Sequence, residues 1–375
     1  MCKRIRILHM TPPIVNNGIY KYIFTRYKYI DKNRFEFDFL MQAPEELKKT
    51  KEWQKYHFGI RSFTTTQRDD PEKFRKEICD ILSDDYDVLE LHTSYWRGFM
   101  IEEIAMELGV PKVIVHAHTA GLDQNDPLER QKQLAVHEKF KKQFGPQYAT
   151  DFWACSKEAG EWLFGSNIPV QKIQVVKNAI EAGKYQYSNE KREKTRKELG
   201  LEGSFVIGHT GRFEYQKNHD FLVDVLWKAR QRKVPAKLLL IGEGKKKDGI
   251  EKKCRKLGLC EDVIFLGWRD DIADLLQAMD AYCLPSLFEG LPLVAIEAQS
   301  ADLPCMVSSF VTEEAKILQD FQRLELDAEL WADKIEDIYK HPKQRKENRL
   351  LIQKAGYDIE TEIRKLEQLY EKGLK

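Results

Sequence analysis

Residues 280–309 read DAYCLPSLFEGLPLVAIEAQSADLPCMVSS, and the reading of this stretch decides the fold. The apolar run 281–284 predicts a short strand, Pro285 and Gly290 punctuate a loop, and Pro292 opens a helix, where its fixed φ and missing N–H do no harm. A second short strand follows at 305–308. Strand, loop, helix and strand in that order form one parallel βαβ unit. Its loop lies at the carboxyl end of a strand, the place where open α/β sheets bind ligands. The backbone N–H groups of Leu291, Leu293 and Val294, with Gly290 beside them, lie at the helix N-terminus and favour an anion such as a diphosphate.

Two carboxylates bracket the turn, Glu289 before the helix and Glu297 about a turn and a half into it. Carboxylates beside a phosphate site serve as acceptors for hydroxyl groups, which ribose and sugar rings supply. Either glutamate alone reads more readily as a solvated charge, since Glu is mostly exposed. The block EGLPLVAIE from Glu289 to Glu297 as a whole resembles the two-glutamate signature of the retaining glycosyltransferase family 4. The resemblance implies the GT-B architecture, an α/β fold of two Rossmann-like, doubly wound parallel-sheet domains facing a central cleft. It also implies a nucleotide-diphosphate sugar as donor substrate.

Composition fits that reading. The 375 residues, 42% of them hydrophobic, are enough for two cores. With 61 basic and 60 acidic residues the formal charge is +1, so no net field holds nucleic acid and no such partner is expected. Seven cysteines, odd in number and without C-x-x-C spacing, disfavour both zinc and a disulfide framework. There is neither a run of about eighteen apolar residues nor a signal-peptide pattern. The expected location is the cytoplasm, with peripheral contact at the inner membrane face left open.

From the N-terminus, 5–9 predicts the first parallel strand, 11–18 (TPPIVNNG) its loop, and a helix follows in which Ile19, Tyr22, Ile23 and Tyr27 share a face. Where many family members carry a Gly-Gly pair near the donor phosphate, this chain has Asn17-Gly18. Gly18 is assigned to the donor site by resemblance and reads equally as the residue that opens the helix. Strands are expected at 35–40, 60–63, 88–92, 113–116, 151–155 and 173–176. The strand at 113–116 runs into HAHT, and His118 matches a family histidine beside the donor sugar; a strand-end histidine otherwise reads as structural. Residues 122–145 predict a helix with an exposed basic face. The boundary falls near Ala182, giving an acceptor-side domain at 1–182, completed by a terminal helix crossing back at 357–375, and a nucleotide-sugar domain at 183–356.

The second half opens with a strand at 205–209 and then GRFEYQKNHDFLVDVL. Gly211 permits a tight turn, and Arg212 and Lys217 project from one loop, two cations that repel unless an anion joins them. Arginine supplies planar bidentate donors and lysine a point charge; a pair of surface cations is the plain alternative. Strands at 236–241 and 263–266 follow, with KKK at 245–247 starting the helix between them. After Gly267 the pair Trp268-Arg269 reads as a shelf for the nucleotide base, and Asp270 as a cap for the next helix. A strand near 323–326 and helices at 328–339 and 358–370 complete the chain.

The resemblance implies transfer of a hexose with retention, from a nucleotide-diphosphate donor that by family habit is a UDP-sugar. The acceptor is a hydroxyl of a glycan or lipid-linked partner, in extracellular or capsular polysaccharide synthesis. The expected catalytic groups are His118, Arg212, Lys217 and Glu289. Gly18, Gly211, Trp268, Arg269, Gly290, Leu291, Leu293, Val294 and Glu297 are expected to bind the donor, Glu297 on the ribose. With cations and helix amides carrying the leaving charge, neither a metal nor another cofactor is expected. Two alternatives stay open: a GT-B nucleotide-sugar 2-epimerase, and a non-catalytic nucleotide-sugar-binding subunit of a transferase complex.

Overall fold

A computed structural model of the protein describes residues 3–11 and 17–374. Two compact units emerge, unit 1 from Met1–Leu122, Gln131–Ala179 and Ile359–Lys375, and unit 2 from Asp123–Arg130 and Ile180–Asp358.

Unit 1 holds seven strands: β1 (Ile5–Met10), β2 (Phe35–Met41), β3 (Gly59–Ser62), β4 (Val88–Thr93), β5 (Lys112–Ala117), β6 (Asp151–Ala154) and β7 (Ile173–Val175). They form one parallel sheet in the order β3-β2-β1-β4-β5-β6-β7. The order reverses between β1 and β4, which makes their carboxyl ends a topological switch point. The registers His9↔Glu90 and His92↔His116 bring three histidines and a glutamate of different strands to that end. Phe35, Phe37 and Phe39 of β2 pack with Tyr22 and Ile23 of the helix Gly18–Tyr29. Ile363, Leu366 and Tyr370 of the terminal helix Ile359–Glu371 join the same core. Lys112 in β5 is buried, and its Nζ donates to the carbonyls of Leu369 and Lys372 at 2.6 and 2.7 Å, a cation at the negative end of that helix.

Unit 2 holds β8 (Phe205–Thr210), β9 (Ala236–Ile241), β10 (Val263–Phe265), β11 (Ala281–Leu284), β12 (Cys305–Ser308) and β13 (Phe321–Leu324). All pairs are parallel, in the order β10-β9-β8-β11-β12-β13, with the switch point between β8 and β11. Its core gathers Ile207, Leu222, Leu226, Leu238, Leu240, Trp331 and Ile335; burying side chains of this size stabilises by about 1.5–3 kcal/mol each.

Departures from the sequence-based expectations have local causes. The strand expected near 323–326 is β13, shifted by two residues, because FQRLEL alternates in more than one frame and Phe321, buried opposite Cys305, fixes the register. The helix expected from 245 begins at Lys247, after Gly244 has bent the chain, and Asp271 rather than Asp270 takes the N-cap position of the helix Ile272–Ala278. Short helices at Glu45–Lys48, Lys51–Tyr56 and Arg349–Lys354 were not expected, being too short and polar to show a period. Residues 12–16 of the expected loop at 11–18 lie outside the described residues. Among the described residues no helix is long and apolar enough to cross a membrane.

Candidate active site at the strand ends

In unit 2 the loops after β8, β9 and β10 are laced together by backbone. The Gly211 amide donates to Ile241 O and that of Phe213 to Glu243 O, both at 2.9 Å, and Gly242 N donates to Gly267 O at 2.8 Å. Gly242 lies at φ +139°, where an added Cβ would stand 2.1 Å from Gly211 O, so backbone passes backbone where no side chain fits. Gly211 therefore sits at the crossing, and the loop it opens is held against its neighbours.

That loop carries both predicted cations. Lys217 Nζ lies 2.6 Å from Glu289 Oε1, with both side chains nearly buried. Arg212 Nη2 lies 2.8 Å from Asp123 Oδ2, with the arginine 43% exposed. Gln216 Nε2 donates to Phe288 O at 2.9 Å and to Glu289 Oε2 at 3.3 Å, while Leu287 N donates to Gln216 O at 2.8 Å. Lys217 and Glu289 thus meet at the switch point, Arg212 stands on the same loop, and each cation already holds a carboxylate. The segment Asp123–Arg130 takes part unexpectedly. Asp123 Oδ1 accepts from Gln216 N at 3.1 Å, Asn125 Oδ1 accepts from Tyr215 N at 2.7 Å, and the Asn125 amide donates to Glu214. The helix expected at 122–145 took in DQND, but it starts at Pro127 and leaves these side chains in the loop before it, so nothing in sequence marked them.

After β11 the chain passes Gly290 and Leu291, both buried, and reaches the helix Leu293–Ser300. Pro292 sits at its N-cap and offers no side-chain cap, so the first-turn amides of Leu293 and Val294 have no capping acceptor. Glu297 is fully buried, which removes the solvated-charge alternative, and its Oε1 accepts from the Tyr185 hydroxyl at 3.1 Å. Burial, and then the adjacent Glu297 charge, hold the Tyr185 phenol well above its ordinary value. Trp268 is 54% exposed. Arg269, expected beside the base, holds Asp271 on its own loop, with Nε 2.8 Å from Oδ1.

In unit 1 the carboxyl ends of β1, β4 and β5 gather four histidines around Glu90. His118 Nε2 lies 2.8 Å from His92 Nδ1, His92 Nε2 lies 3.0 Å from His9 Nδ1, and His116 Nδ1 lies 2.8 Å from Glu90 Oε1. Burial pushes His9 down to about 4 and His92, His116 and His118 well below their ordinary value, so all four rings are neutral near pH 7. Among the described residues two groups offer ligand atoms within 4.8 Å of one another, His92 with His116 and His118, and His9 with Glu90 and His92, and could hold a metal ion. His9 and His92 each stand alone in an apolar strand, and only the register connects them. Gly18 is the first residue of its helix, capped by Asn17 Oδ1, which accepts from Ile19 N and Tyr20 N; a Cβ on Gly18 would meet nothing within 4 Å.

Residues 191–355 match the family model for glycosyl transferases group 1. The Bacillus subtilis protein EpsF, named as a glycosyltransferase, is 26% identical over 97% of this chain and 96% of its own. The Escherichia coli UDP-Gal:alpha-D-GlcNAc-diphosphoundecaprenol alpha-1,3-galactosyltransferase is 28% identical over 63% of this chain and 61% of its own. The crystal structure of Anabaena Alr3699/HepE in complex with UDP and glucose superposes with a TM-score of 0.77 at 17% identity, covering 98% of this chain and all of that one. The chain thus has the GT-B architecture of two parallel-sheet α/β units, and its second unit carries the stretch that matches the glycosyl transferases group 1 model.

Proposed function

We propose that the protein moves a hexose, with retention of configuration, from a UDP-sugar to a hydroxyl of a glycan or lipid-linked acceptor during extracellular or capsular polysaccharide assembly at the cytoplasmic face of the membrane. One observation carries the donor assignment: Arg212 and Lys217 stand on a single switch-point loop beside the uncapped start of the helix Leu293–Ser300. A diphosphate entering there replaces Asp123 and Glu289 as counter-ion. The cations and amides then carry the charge that develops as the diphosphate leaves, held in place beforehand so that no reorganisation accompanies the reaction. Released from Lys217, Glu289 accepts from a hydroxyl of the donor sugar. Glu297, backed by Tyr185, serves the ribose, and the open face of Trp268 serves the base. In unit 1 His118 contacts the sugar. The leaving charge is met by protein groups, so turnover is expected to survive a chelator. The UDP-galactose donor and diphosphoundecaprenol-linked acceptor in the name of the Escherichia coli relative support these substrate classes.

Incubation with radiolabelled UDP-hexoses, a lipid-linked glycan and EDTA tests the reading. The expected product is a labelled glycan with the anomeric configuration of the donor. An epimerised sugar nucleotide with no labelled glycan would mark a 2-epimerase, and donor binding without turnover a non-catalytic subunit.

A further inference from the structure

The histidine cluster of unit 1 has a direction. A neutral imidazole carries one proton, so each ring donates through one nitrogen and accepts through the other. His116 Nδ1 faces Glu90 Oε1 at 2.8 Å, with the Tyr22 hydroxyl 3.5 Å away, while its Nε2 is buried without a partner among the described residues. The proton therefore sits on Nδ1, since an unpaired buried N–H is rarer and more costly than a bare acceptor. His9 repeats the pattern. Its Nε2 is buried without a partner among the described residues, and its Nδ1 faces both Glu90 Oε2 at 3.5 Å and His92 Nε2 at 3.0 Å. A lone pair on His9 Nδ1 would face Glu90 Oε2 at 3.5 Å, closer than the 3.8 Å that separates His92 Nε2 from Oε1, so the proton is on His9 and His92 Nε2 is left to accept it. His92 then carries its own proton on Nδ1 and donates it to His118 Nε2 at 2.8 Å.

We infer that Glu90, acting through His9 and His92, fixes the tautomer of His118, so that His118 meets its ligand as an Nδ1–H hydrogen-bond donor. Its Nε2 is committed to His92, and only Nδ1 remains for another partner. Tyr370 donates to Glu90 Oε2 at 2.5 Å and keeps the carboxylate accepting. Tyr22, over whose ring the Arg26 guanidinium lies at 3.2 Å, packs edge-on against His116 and His118, closing the cluster with a positive charge that opposes a second proton on any ring. The contacts are those of shared protons rather than metal ligands. Nitrogens bound tetrahedrally at about 2.0 Å to one ion stand about 3.3 Å apart, and His92 Nδ1 would have to offer a lone pair where this chain places a proton. The ligand class follows: an oxygen acceptor, such as a sugar hydroxyl or ring oxygen, and not a hydroxyl awaiting deprotonation. His92 is thus a positioning residue for His118. This consequence for the sugar rests on the proposed function; the tautomer does not.

Long-range proton–nitrogen NMR correlations on the full chain, with labelled histidine, read the tautomer directly. In the wild type His118 is expected protonated on Nδ1. In Glu90→Gln the amide oxygen is needed by His116, its NH2 falls against His9, and the chain reverses, placing the His118 proton on Nε2. The KM for the sugar nucleotide is expected to rise about tenfold, the worth of one hydrogen bond to the ligand, with the nucleoside diphosphate Kd unchanged because that site lies in unit 2. Should Glu90→Gln fail to fold, His92→Gln replaces it, with loss of a single His118 tautomer expected. A wild-type His118 protonated on Nε2, an unaltered tautomer in the folded variant, or one equivalent of divalent metal retained after dialysis would each overturn the inference. An unchanged nucleoside diphosphate Kd in Lys217→Ala would instead overturn the proposed function and leave the tautomer standing.

Discussion

Lys217 and Glu289 must part before anything anionic can use the lysine. Their pair is nearly buried, and opening such a pair without replacement costs about 3–5 kcal/mol, so a diphosphate that supplies the replacement charge is selected over weaker anions. The Arg212–Asp123 pair is more exposed and worth about 0.2–1 kcal/mol. Asp123→Ala removes that competition, and calorimetry is expected to show nucleoside diphosphate binding about two- to fivefold tighter; weaker binding would mean that Asp123 helps hold the ligand. At this scale the sequence was informative where chemistry is local. Arg212 and Lys217 share a loop, and Glu289 and Glu297 share a turn. Asp123, Tyr185, His9 and His92 were invisible, because each reaches its partner only through register or through a chain excursion of dozens of residues.

Elements of the second unit are held in place where backbone crosses backbone. Gly242→Ala would drive a Cβ to 2.1 Å from Gly211 O at a φ of +139°. Chemical denaturation is expected to show a loss above about 2 kcal/mol, and a neutral result would mean that the loops are not laced. In unit 1, Lys112→Met removes the donor to Leu369 O and Lys372 O. Two part-buried carbonyls lose their donor, at about 0.5–1.5 kcal/mol for each hydrogen bond, and faster hydrogen exchange in the helix Ile359–Glu371 is the expected readout. The strands and long helices were legible because apolar runs and caps are local signals; β13 slipped because FQRLEL alternates in more than one frame.

Both units bury histidines that acid would charge. In unit 1 burial holds His9 at about 4 and His92, His116 and His118 well below their ordinary value. In unit 2 burial holds His209 at about 3, against the opposing pull of the Cys283 carbonyl. Unfolded histidines take up protons near 6.5, so below that pH the unfolded chain binds more protons than the native one. The stabilisation is complete above about 6.5 and is lost as pH falls toward about 4, by up to about 1.4 kcal/mol per pH unit for each ring. Glu102, raised to about 8 by burial, and Glu90, raised in the same sense, work oppositely, costing stability as pH rises through and above the ordinary carboxylate range. Four rings against two carboxylates leave unit 1 losing stability between pH 6.5 and 5, seen as a falling denaturation midpoint; a flat midpoint would contradict the neutral cluster. Two doubly wound sheets were legible in the alternation of strands and helices, whereas the histidine cluster was not, since no linear pattern reports which strands become neighbours.

The central claim is that a diphosphate is held in unit 2 by Arg212, Lys217 and the amides at the start of the helix Leu293–Ser300. Titration calorimetry of wild type and Lys217→Ala with UDP in EDTA tests it most directly. Binding by the wild type and at least tenfold weaker binding by the variant are predicted, since a charged hydrogen bond is worth about 1.5–3 kcal/mol. Equal affinity in the two proteins would contradict it.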